Sequence, residues 1–175
     1  MTLTKKQKRT IWVVAAIAGF IILTFAISLG YLKAQAAMKP HMDELMNIPS
    51  GKAAPDEEPY LSGKILPIDV SEKKIDSYVW SALPSTLLAR RFEEVQTVVL
   101  LKYGESPAGS YTNGAGAFIK KCEVTIIDRT RGTVLIEQTL FGTSPPKTTT
   151  SRSGAYGSSA RTAVVQFLKK LPRRG

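Results

Sequence analysis

The sequence predicts an α+β protein. Its expected parts are one N-terminal transmembrane helix, a linker, and a small antiparallel sheet (meander and hairpin) covered by a C-terminal helix. Three observations predict it. Ile11 to Leu32 is a run of 22 residues without a charge, residues 95–141 alternate in strand fashion, and Arg161 to Leu171 carries apolar residues at helical spacing. The chain has 175 residues, 43% hydrophobic and 22% charged, which suits one modest domain plus an attachment and excludes wholesale disorder.

Charge is distributed unevenly. Residues 1–10 form a basic tail with Lys5, Lys6, Lys8 and Arg9 and no acid. Residues 60–137 are almost neutral, with ten basic and nine acidic side chains, whereas residues 138–175 hold seven basic residues and no acid. The body is therefore nearly neutral and its last quarter basic.

As a helix, the run 11–32 would be roughly 33 Å long, enough for a hydrocarbon core of about 30 Å. Trp12 and Tyr31 stand at its ends, as interfacial aromatics do. The four basic residues before it predict a cytoplasmic N-terminus and an extracytoplasmic domain at the cell or inner membrane. A cleaved secretory signal is the competing reading, because Ala34-Gln35-Ala36 offers small residues around a cut near Ala36. Ala15, Gly19, Ala26 and Gly30 share one helical face, which suggests close packing against another spanning helix.

Residues 33–59 read as an extended linker. Pro40, Pro49, Pro55 and Pro59 interrupt them, and His41 is expected there as a solvated side chain. The domain proper is residues 60–175. Leu66, Ile68 and Val70 alternate, with Pro67 suggesting an edge strand. Residues 85–94 read as a short helix after Pro84. Val95 to Tyr103, apolar on both faces, belongs in the middle of the sheet. Asn113-Gly114 signals a turn, and Gly116 a bulge. Residues 117–128 and 133–141 form a hairpin reversing at 129–132, all in an antiparallel meander. Between 142 and 159, 14 of 18 residues are Gly, Ser, Thr or Pro. Residues 161–171 form a helix capped by Ser158 or Ser159, ended by Pro172, with a frayed tail beyond it.

No catalytic, cofactor or metal motif is expected. Gly104 to Gly109 has the glycine spacing of a phosphate loop, but Ser110 and Tyr111 follow where that motif needs Lys and Ser or Thr. Cys122 has the parity of the buried face, and the single histidine precludes a His-rich metal site. The leading functional expectation is a non-enzymatic, membrane-anchored accessory or interaction module with a protein partner. The alternative is an anion-binding surface in residues 142–174, using Lys147, Arg152, Arg161, Lys169 and Lys170 for lipid headgroups or an acidic polymer. A thiol enzyme using Cys122 is the third option. Nucleic acid is not expected, since no aromatic-interleaved basic platform is present.

Overall fold

The doubly apolar run at Val95 begins the longest strand of a computed structural model that describes residues 12, 14, 17, 18, 28–52 and 58–174. This strand, β5 (Val95–Ser110), pairs antiparallel with β6 (Gly116–Asp128), which pairs antiparallel with β7 (Thr133–Phe141). On its other side β5 lies parallel to β3 (Lys64–Asp69), which carries the short antiparallel β4 (Lys74–Ile75). β1 (Gly51–Lys52) adds to β7 in parallel, and β8 (Ala155–Tyr156) adds to β6 in parallel. The order is β1-β7-β6-β5-β3-β4, with β8 beside β6. A separate parallel pair joins β2 (Leu61–Ser62) to β9 (Arg173–Arg174).

The expected α+β arrangement of an antiparallel meander behind a transmembrane helix is therefore corrected to a mixed seven-stranded sheet with few helices. A parallel neighbour requires a crossover of a dozen or more residues. Residues 70–94 supply one, through β4, the six-residue helix α3 (Ser77–Ala82) and two 3-10 turns, Ser85–Leu87 and Phe92–Glu94. Those turns replace the helix expected over 85–94. Pro67 sits inside the sheet path, opposite Val99, with its carbonyl accepting from the Asp76 amide at 3.0 Å. β4 is too short to reach it, so no ladder bond is lost to the missing N–H.

The predicted span 11–32 lies largely outside the described residues, and so do Ala15, Gly19 and Ala26. Among the described residues no helix is long and apolar enough to cross a membrane, so the single-pass signal-anchor reading is withdrawn. At Gly30 an added Cβ would meet open space, and nothing packs against that position.

Residues 33–46 are helical where a tether was expected. The helix α1 (residues 28–38) runs through a 3-10 turn, Lys39–His41, into α2 (Met42–Met46). Pro40 falls in the first turn of that 3-10 segment, where its missing N–H removes no bond. Ala34, Met38, Met42 and Leu45, spaced four, four and three apart, are all at most 4% exposed. Each buried Met or Leu side chain stabilises by roughly 1.5–3 kcal/mol. The same helix seals a sheet edge: the Ile75 amide donates to Gln35 Oε1 at 2.8 Å, and the Tyr31 hydroxyl donates to the Ile75 carbonyl at 3.0 Å. Tyr31 also meets the Trp80 ring edge-on at 6.3 Å. His41 stacks on Phe92 at 3.9 Å, whose ring also carries the Arg129 guanidinium at 4.1 Å.

The C-terminal helix α4 (Arg161–Lys170) does cover the sheet, burying Val164, Val165 and Leu168. Its N-cap is Ala160 rather than Ser158 or Ser159, and Ser159 Oγ accepts from the Arg161 amide at 3.2 Å. The tail expected to fray is paired as β9, with Arg174 lying 4.0 Å over the Tyr60 ring.

Removal of the Leu45 side chain leaves a cavity beneath α2. Leu45→Ala in the full chain is expected to cost about 2–4 kcal/mol in urea unfolding; an unchanged midpoint would show that the segment contributes nothing to stability. Glu94 ties the crossover to β3, accepting from the Arg90 amide at 2.9 Å and pairing with Lys64 at 3.0 Å and Arg91 at 3.2 Å. The Arg90 amide first, then Lys64, hold its carboxyl at about 2 rather than 4.5. A depressed carboxyl stabilises above its unfolded pKa and loses that contribution as pH falls through its folded one. The stability gap between wild type and Glu94→Gln should therefore be full above pH 4.5 and shrink towards pH 2 in unfolding curves taken across that range.

Candidate functional site

The Ser/Thr/Gly segment 142–159 builds one wall of the principal cleft. Its neck closes where Gly142 and Gly157 pass neighbouring backbone. A Cβ on Gly142 would lie 1.9 Å from the Ser158 carbonyl oxygen, and one on Gly157 would lie 1.7 Å from that of Thr143, so only glycine fits. The Ser158 amide donates to Thr143 Oγ1 at 2.9 Å, and the Gly142 and Gly157 amides bond to the Lys120 and Phe118 carbonyls. Tyr156 stacks on Phe118 at 5.3 Å, holding the returning chain against β6. The tip is tied to the β5–β6 turn, where the Tyr111 hydroxyl donates to the Pro146 carbonyl and Asn113 Nδ2 to those of Thr149 and Ser151.

Between this segment, the start of α4 and the distal half of the β5–β6 hairpin lies a cleft of about 380 Å³. Lys120, Lys121 and Arg161 line it with Glu105 and Tyr103, and the first turn of α4 contains no acidic residue. The exposed amides of that turn favour negative charge. Each cation already has an internal partner. Lys120 pairs with Glu105 and lies 4.1 Å over the Tyr156 ring, and Lys121 pairs with Glu123 at 2.8 Å. Lys121 and Lys102 together keep the Glu123 carboxyl below its usual range. These lysine pairs are solvent-exposed, and exposed ion pairs are worth little, so a stronger anion can displace them.

Arg161 is held differently. Its Nε donates to Asp76 Oδ2 at 3.2 Å, its Nη2 lies 3.7 Å from Asp69 Oδ2, and its plane sits 4.3 Å over the Tyr103 ring. The Tyr103 hydroxyl donates to the same Asp76 oxygen at 2.8 Å, while Asp76 Oδ1 accepts from the Val79 amide and caps α3. Asp69 and Asp76 are 4% and 2% exposed, so Arg161 is their necessary counter-charge. Burial raises the Tyr103 phenol, and the Asp76 carboxylate raises it further. Cys122 lies buried on the same face, its thiol pushed up to about 12 by burial and then by Asp76 and Asp69.

Of the five cations expected to bind anions together, only Arg161 lines the cleft. Lys147 and Arg152 are exposed on the loop, and Lys169 and Lys170 are exposed at the opposite end of α4. Lys120 and Lys121 take the places that the sequence pattern assigned to those residues. The Asp76–Tyr103–Arg161 group was invisible in sequence because its members lie 27 and 85 residues apart. Its one local trace is Asp76 immediately before Ser77–Ala82, an acidic N-cap. Among the described residues no group of three or more His, Cys, Asp or Glu is placed to hold a metal ion. Comparison with protein-family models, curated proteins and solved structures found no match.

A buried, protonated thiol is a poor nucleophile. Native Cys122 is expected to resist a disulfide-exchange reagent at pH 8 and to react fully after denaturation; reaction at the unfolded rate without denaturant would contradict the burial.

Proposed function

We propose that the chain is a non-enzymatic interaction module whose cleft receives an anionic group of an acidic partner. The observation that carries this reading is the convergence of Lys120, Lys121 and Arg161 on one cleft of about 380 Å³, at a helix start free of acidic residues. Arg161, anchored by Asp76, supplies a fixed positive end, and the two lysines supply donors that can exchange Glu105 and Glu123 for a ligand carboxylate or phosphate. The thiol-enzyme alternative has less support. Cys122 is buried, and His41 is stacked on Phe92 among residues that do not line the cleft.

The test is a fluorescence-anisotropy titration of the full chain with a labelled oligo-aspartate peptide. Binding should weaken with added salt, and Lys120→Glu with Lys121→Glu should reduce it by about tenfold, the worth of one charge-assisted hydrogen bond. Lys169→Glu with Lys170→Glu should leave it within error. If the second pair abolishes binding while the first does not, the basic tail is the site and the cleft reading fails.

A further inference from the structure

Three strand edges of the main sheet are exposed to new partners, and two of them are blunted. The β4 edge is capped by Gln35 and Tyr31. The β5 edge is free of β3 beyond Leu101, but it carries Gly104 and Pro107 and a register shift between Pro107 and Gly109. The β7 edge has no comparable protection. β1 covers only Thr133 and Val134, and among the described residues no strand pairs with the outer edge from Leu135 to Phe141. The sequence of β7, TVLIEQTLF, has one charge and neither proline nor glycine. A long edge of this composition is a template for another strand.

We infer that β7 pairs antiparallel with β7 of a second copy of this chain, about a two-fold axis at Gln138. The open stretch Leu135–Phe141 has Gln138 at its midpoint, and β1 blocks any longer overlap at the Val134 end. This register sets Ile136 against Leu140 and Leu135 against Phe141 of the other copy. Each Glu137 then faces Thr139 rather than its own image, so no like charges meet. Ile136 and Leu140 are half-buried at the rim of the core, and Phe141 is 52% exposed, so the pairing carries the core across the axis and covers an exposed ring. The two sheets become one, and each copy's remaining unprotected edge disappears.

Self-pairing of β7 predicts a light-scattering mass for the full chain of twice 19.1 kDa. Gln138→Lys, which sets two ammonium groups side by side, should weaken association severalfold and shift the mass towards that of the single chain. Gln138→Cys should form an intermolecular disulfide under mild oxidation, whereas Ser85→Cys, exposed but remote from β7, should not; Cys122 is buried and does not compete. Circular dichroism of each variant shows that it has folded, and Thr139→Lys serves as the second charged variant if Gln138→Lys does not fold. A wild-type mass of 19.1 kDa overturns the pairing. So does a doubled mass that survives the lysine variant with no cross-link at position 138.

Discussion

The carboxylate of Asp76 holds three separate parts of the molecule in one place. One oxygen caps α3 through the Val79 amide, and the other accepts both the Tyr103 hydroxyl and Arg161 Nε. It thereby joins the crossover to the longest strand and to the start of α4. A carboxylate only 2% exposed requires such company, because an uncompensated buried charge costs several kcal/mol. The arrangement also orients Arg161 against Tyr103, so the charged wall of the cleft is a consequence of how the fold neutralises its buried acid.

Closure at the sheet's other boundaries follows the same economy of polar groups. Ile75 exposes one amide and one carbonyl at an edge, and Gln35 and Tyr31, one turn apart on α1, meet both. The apolar stripe from Ala34 to Leu45 positions that helix, so burial and hydrogen bonding specify the same docking. At the opposite end, Asp128 is 2% exposed and accepts from Tyr60 at 2.8 Å and from the Thr130 hydroxyl. Burial opposes its ionisation, and these bonds with the Thr130 and Arg131 amides more than offset that, keeping its carboxyl below the usual range. The loop 142–159 is ordered by contact rather than composition: two glycines at its neck permit a backbone approach that any side chain would prevent.

Much of the sheet was legible in the residues. The alternation of Phe118, Cys122, Val124 and Ile126 marked β6, and the reversal before Gly132 appears with that glycine at φ +58°. The last helix was visible from Val164, Leu168 and their neighbours. The parallel pairing of β3 with β5 was not, because the six-residue α3 gives too short a pattern to announce a crossover. Nor was the docking of residues 33–46, since prolines argued for a tether and Pro40 instead falls where a helical turn tolerates it. Of the proposed cationic site only Arg161 was read, because clustering depends on which strands become neighbours.

By itself, the sequence determined where strands and the last helix form, that Cys122 faces inward, and that the final quarter is basic, since periodicity and charge are local properties. Tertiary structure alone decided the parallel order of β3 and β5, the sealing of Ile75 by α1, and the meeting of Asp76 with Tyr103 and Arg161. Those depend on contacts between residues far apart in the chain, where burial and unsatisfied polar groups, rather than neighbouring residues, select the partner.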